Sequence, residues 1–292
     1  MQNAMSLLAE ATNTRHRAIL AKLNDLPPFS PVLNQVMASL GDESFSYRHL
    51  GSLIEQDMVL TGNVLRLVNS AAYGRRVEVM AISKAISILG INKLRNLVLT
   101  LSVAHMWRRL KIEGDWSLER FNSHALVVAI LGDAIAQQVD VEFPEGAFLS
   151  GLLHDLGTLL IVMNAPADQV AIDAHVALHG STILEAERLI LETDHAALSA
   201  AALAVWKLPE PLQRAVRDHH TPVRGELSMI VSVADGCANQ LGFSIATPEQ
   251  TQSETTDAAL CATELARLGL ESQAAGILAD FRTEFEVARS IR

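Results

Sequence analysis

The chain has 292 residues, 23 basic against 33 acidic side chains for a formal charge of −10, and two cysteines. That length suits one large domain or two ordinary ones and buries a core without disulfides, while the negative field opposes a generic binder of nucleic-acid backbones. Apolar residues make up 49% but aromatic ones only 4%, which favours helices packed on helices over a β-sheet and predicts an all-α protein.

Residues 1–24 predict one amphipathic helix with Leu7, Leu8, Ala11, Ile19, Leu20 and Leu23 on its apolar face, and the prolines of DLPPFSP stop it. This start has no basic segment followed by an apolar core, so a signal peptide is not expected. An N-terminal lobe is expected over 25–113. Ser30 and Pro31 open its first helix, which carries Val32, Leu33, Val36, Met37 and Leu40. Short helices follow from near Ser46 and from near Asp57, the second broken at NSAAYG, and another spans about 83–89 and ends at Gly90. Asn69, Ser70 and Tyr73 read as helix-ending residues rather than a site. Arg66, Arg75, Arg76, Lys93 and Arg95 read as a solvated basic face. LRNLVLTLSVAHMW then predicts a helix covered around much of its circumference, which ties the two lobes together.

The charged stretch RRLKIEGDWS marks the lobe boundary, and a second lobe is expected over 114–245. Its helices are predicted at about 118–138, 145–156, 181–191, 195–206, 210–220 and 226–241, separated by Pro144, Gly157, Gly180, Pro209 and Pro222. A linker over 247–257 and helices complete the segment 246–292. Ser102, His105, Asp133 and Asp155 interrupt the best apolar runs, so no run reaches the roughly 18 residues that cross a bilayer. Cys237 and Cys261 match neither a zinc spacing nor a disulfide framework and read as buried thiols in a reducing compartment. Together these features predict a cytoplasmic protein without membrane contact.

Five histidines and two aspartates of the second lobe border apolar helix faces: His124, His154 with Asp155 in GLLHDLG, His195, His219 with His220, and Asp235 in MIVSVADG. Each alone reads most simply as a hydrogen-bonded core or surface residue, as do His16, His49, His105, His175 and His179. Jointly, imidazole nitrogens and carboxylates left without a partner would each cost several kcal/mol, and a divalent cation serves all seven. Adjacent helical residues point about 100° apart, so His154 with Asp155, or His219 with His220, fit two neighbouring ions.

At HDLG, with the order His, His-Asp, His, His-His, Asp, residues 118–240 resemble the HD superfamily of metal-dependent phosphohydrolases. LPPFSPVLNQVMASL, LGSLIEQDMVLTGNVLRLVNSAAYG, ISKAISILGINKLRNLVLTLSV, GAFLSGLLHDLGTLLI and TDHAALSAAALAVWKLPEPLQRAVRDHH together resemble an HDOD domain, the signalling relative of those enzymes, over roughly 23–240. The resemblance implies a two-lobe helical bundle with an HD-like C-terminal lobe and an output or scaffold role in bacterial signal transduction. It also implies a partner that is a signalling protein or a small signalling nucleotide. By position, His124, His154, Asp155, His195, His219, His220 and Asp235 are similar to the metal ligands of HD-GYP phosphodiesterases, which cleave cyclic di-GMP. That implies one or two divalent ions (Fe, Mn, Zn, Ni or Mg). Thr158 replaces the lysine that follows HDxG in those enzymes, Arg120 stands where a further carboxylate ligand would, and no Gly-Tyr-Pro loop follows His220. Metal binding survives these changes better than catalysis does. The expectation is therefore a regulatory protein with a retained His/Asp metal-type site. The alternative is a metal-dependent phosphohydrolase in which Asp155 is the bridging catalytic carboxylate.

Overall fold

A computed structural model of the chain describes residues 18–19, 21–22, 31–38, 46–70, 78–108, 110, 112, 116–245 and 258–289. The helix expected over 1–24 (apart from residues 18–19 and 21–22), the Ser30 cap, Tyr73 with Arg75 and Arg76, most of the 108–117 boundary and the 247–257 linker lie outside the described residues. Every regular element described is helical.

In the N-terminal half, α1 (Pro31–Ala38) begins at its proline, and α2 (Tyr47–Glu55) is capped by Ser46, whose Oγ accepts from the His49 amide. The Asp57 carboxylate caps α3 (Met58–Val68) by accepting from the amides of Val59 and Leu60. Asn69 ends α3 and clamps the chain entering α4 (Ile82–Leu89), donating from Nδ2 to the Val79 carbonyl and accepting from the Val79 amide at Oδ1. A 113° bend at Gly90 leads into α5 (Ile91–Trp107). This helix buries Leu94, Val98, Leu99 and Val103, packs against α1 to α4, and also reaches α7 of the second half. It therefore ties the halves together, as its apolar circumference predicts. Arg95 corrects the expectation of a solvated basic face: it is 8% exposed, with Asp133 and Glu145 as its charged neighbours.

The second half is built around α6 (Leu118–Ala136), capped by Ser117 and buried along nearly all of 124–132. A 3-10 turn at Pro144–Gly146 precedes α7 (Ala147–Leu153), and then come α8 (Leu156–Asn164), α9 (Pro166–His179), α10 (Ile183–Leu191), α11 (His195–Val205), α12 (Glu210–Arg217) and α13 (Leu227–Gln240). The C-terminal pair α14 (Ala258–Ala266) and α15 (Ala274–Arg289) packs back onto α13 and α6 respectively. One core runs from Val32 of α1 to Phe285 of α15, and at the junction of the halves Phe121 sits edge-on to Trp107 with ring centroids 5.0 Å apart.

Three expectations change. The helix predicted over 145–156 breaks at His154–Asp155 and resumes at Leu156, so Gly157 lies inside a helix instead of ending one. Helix α9 has no counterpart among the predicted elements, because only Ile172 of its residues is buried and its apolar periodicity is faint. Finally, Pro144–Asn164, 21 residues, is apolar and long enough to cross a membrane, against the expectation that Asp155 would interrupt it. Most of this stretch is buried in the protein core, and its two carboxylates, Glu145 and Asp155, leave it apolar on average.

Candidate metal centre

Two glycines set the spacing of the centre. A Cβ on Gly151 of α7 would lie 2.8 Å from the Ala129 Cα and the Val128 carbonyl oxygen of α6, so the helices meet backbone to backbone. That contact carries the end of α7, and with it His154, alongside His124 of α6. A Cβ on Gly157 would lie 2.0 Å from the His195 carbonyl oxygen, so the first turn of α8 is pressed onto the first turn of α11. The Gly157 amide donates to Ser199 Oγ at 2.8 Å, and Asp194 caps α11 by accepting from the Ala197 amide. His195 is thus held as the first residue of α11. The chain leaves α12 at Arg217 and turns to present His219 and His220, and α13 contributes Asp235.

The six other residues named from the sequence gather around Asp155, four of them directly. Its Oδ2 lies 3.2 Å from His154 Nε2 and 3.6 Å from His124 Nε2. Its Oδ1 lies 3.3 Å from His195 Nε2 and 3.8 Å from His219 Nε2. Asp235 Oδ1 is 3.3 Å from His124 Nε2, and His220 Nε2 is 2.8 Å from His195 Nε2. Two groups suited to a cation result, one of His124, His154 and Asp155 and one of His195, His219 and His220. His219 and His220 fall in the same group, not in two, because the chain has left the helix there and their rings lie side by side, tilted by 44° with centroids 3.8 Å apart.

The rings are tethered from behind. Nδ1 of His124 donates to the Phe243 carbonyl at 2.5 Å, Nδ1 of His154 to the Gly151 carbonyl at 2.8 Å, and Nδ1 of His219 to the Val216 carbonyl at 2.7 Å. A carbonyl only accepts, so each Nδ1 carries the hydrogen and each Nε2 is left as the atom that faces the centre. His195 Nδ1 donates instead to the Glu187 carboxylate at 2.7 Å, and the same oxygen accepts the His195 amide at 2.9 Å. His219 Nε2 is buried without a hydrogen-bond partner. An unpartnered buried lone pair, two facing imidazole pairs and a two-oxygen carboxylate between them form a donor set that fits divalent first-row ions.

Charge is finely divided in the cluster. Burial alone would raise Asp155, yet the neighbouring His154, His195 and His124 outweigh it and hold the carboxyl well below the usual range. Burial likewise opposes the Asp235 carboxylate, and the His124 contact brings it down to about 2. His195 is penalised by burial but carried up to about 9 by its bond to Glu187 and the charge of Asp155, and His154 moves up beside Asp155 despite its burial. Burial, and then the positive neighbours, hold His219 well below the imidazole range and lower His220. The centre therefore favours positive charge on its axis, the direction in which both His154 and His195 are moved.

Arg120 does stand one turn before His124 on α6, and Thr158 follows the HDLG run with its amide donating to the Asp155 carbonyl. Glu187 and the Phe243 carbonyl were missed by the sequence reading: a glutamate in an amphipathic helix reads as surface, and a carbonyl has no letter of its own. Phe243 is fixed in turn by Phe281 and Phe285 of α15, with centroids at 6.4 and 5.1 Å. His49, His105, His175 and His179 take no part in the cluster, and Cys237 and Cys261 are buried free thiols.

Comparison with known proteins agrees with this architecture. A family model described as HDOD domain matches residues 26–222. The crystal structure of an HDOD domain protein of unknown function from Geobacter sulfurreducens is similar over 97% of this chain and 98% of its own, at 21% identity and a TM-score of 0.74. That of a candidate phosphohydrolase from Shewanella amazonensis SB2B is similar over 94% and 98%, at 25% identity and a TM-score of 0.72. An uncharacterized protein of Treponema pallidum (strain Nichols) is 26% identical over 204 residues, which is 70% of this chain but only 39% of that protein's length.

Proposed function

The chain belongs to the HDOD domain family, and on that premise we propose that it is a cytoplasmic signalling protein. Its C-terminal half holds one or two divalent ions around Asp155, and its helical surfaces recognise a signalling protein or a small signalling nucleotide and pass on a conformational change. The observation that carries the reading is the set of four Nδ1 tethers, which aims four Nε2 atoms at the two oxygens of one carboxylate. A plain scaffold has no need to leave His219 Nε2 buried and unpartnered. His124, His154 and Asp235 would hold one ion, His195, His219 and His220 the other, and Asp155 would bridge them. An imidazole-rich set favours Fe, Zn or Ni over Mn or Mg.

The bridging geometry of Asp155 also favours a second reading, a metal-dependent phosphohydrolase. Bound ions would supply Lewis acidity and an activated water there. The chain itself offers little to hold a phosphate: Thr158 is a neutral hydroxyl where the related enzymes have a cation, and weaker phosphate binding follows. Elemental analysis of protein purified without chelator, paired with turnover of bis(p-nitrophenyl) phosphate and of cyclic di-GMP, separates the readings. Metal without turnover supports the signalling protein, and metal with turnover that Asp155→Ala abolishes supports the hydrolase. Failure to retain or take up any divalent ion sinks both.

A further inference from the structure

Helix α10 contributes no residue to the seven, yet it grips the first step of α11 from two sides. Arg188 donates from Nε and a terminal nitrogen, each at 2.8 Å, to Asp194 Oδ2, while the other Asp194 oxygen caps α11. One residue earlier, the Glu187 carboxylate accepts both the His195 amide and the His195 ring Nδ1–H. Glu187 is 1% exposed, and among the described residues its carboxylate bonds to the amide and the ring of His195. A carboxylate buried at this cost needs a positive partner, and the imidazole ring connects it to one.

We infer that Glu187 is a positioning residue of the metal centre, fixing the ring plane of His195 and making its Nε2 the strongest donor of the His195–His219–His220 group. The inference deepens the metal reading and rests on it. The contrast lies in the four tethers. His124, His154 and His219 lean on neutral carbonyls, whereas His195 alone leans on an anion. An anionic acceptor on one ring nitrogen raises the basicity of the other, which strengthens ligation. The position is doubly constrained, because the backbone amide of His195 shares the same oxygen. Rotation of the ring away from the centre would break a bond to a group that cannot follow.

Glu187→Gln keeps a neutral acceptor and so separates charge from geometry. Glu187→Ala removes both, and Glu187→Asp restores the charge on a shorter arm. Cobalt(II) is the probe, titrated into chelator-treated full-length protein and followed by its visible absorption. With wild-type protein binding cobalt, Glu187→Gln is expected to weaken one phase of the titration by about 10- to 100-fold and to alter its band positions. Glu187→Ala should lose that phase, and Glu187→Asp should recover part of it. Retention of wild-type affinity and spectrum by Glu187→Ala overturns the inference, whatever happens to the melting temperature. If the wild type itself binds no cobalt, the metal reading has failed. The donor-strength half of the inference falls with it, and the His195 ring resonances of metal-free protein decide the other half: an Nδ1–H that persists unchanged in Glu187→Ala overturns the positioning by Glu187, and its loss upholds it.

Discussion

Gly157 approaches His195 so closely that a side-chain carbon on the glycine would stand 2.0 Å from the histidine's carbonyl oxygen. Both atoms in that contact belong to main chain, and the start of α8 is tied to α11 by the bond from the Gly157 amide to Ser199. Neither side has a flexible end that can move away.

Gly157→Ala is therefore expected to cost about 3 kcal/mol, at the upper end for overpacking, and to separate Asp155 from His195. Chemical denaturation measures the first effect and metal content the second. A stable variant with full metal content would show that the α8–α11 contact does not set the centre.

Asp155→Asn should keep the helices and lose the ions. The substitution preserves volume but removes the charge that faces four imidazoles at 3.2 to 3.8 Å. Circular dichroism should match the wild type while metal per chain, by elemental analysis, drops to background.

The metal-free protein should lose stability as the pH rises from about 6.5 to about 9. An unfolded imidazole gives up its proton near 6.5, whereas folded His195 keeps it to about 9. Its contribution is full below 6.5 and drains away through 9, by up to about 3 kcal/mol, and His154 moves in the same direction. His219 and His220 are shifted downward, so their opposite effect falls below 6.5. Urea titrations of chelated protein at successive pH values measure the slope. Metal uptake must displace the same protons, so affinity should rise over this window.

Phe285→Ala reaches the centre from a distance. Removing a buried ring costs roughly 3–5 kcal/mol of stability, and it also loosens Phe243, whose carbonyl holds the His124 ring. The expected result is a lower melting temperature together with a metal affinity reduced by about tenfold. Phe285→Leu, which refills much of the space, should recover most of both.

The comparison of expectation with structure is instructive at particular residues. The helix starts near Ser46 and Asp57 and the largely covered helix α5 follow from local chemistry, because a cap bonds within one turn of itself. Helix α8 was lost because glycine commonly punctuates helices, and here it marks a crossing instead.

By itself the sequence determined that the protein is helical, where most of its helices start, and which seven side chains offer donor atoms of a kind suited to a metal, since propensity, capping and residue type are local properties. Only the tertiary structure decided that those side chains meet, how His219 and His220 are grouped, and that Glu187 and the Phe243 carbonyl orient them. The physical reason is that a coordination shell a few ångströms wide is set by backbone contacts between distant helices, at Gly151 and Gly157, and no spacing along the chain records them.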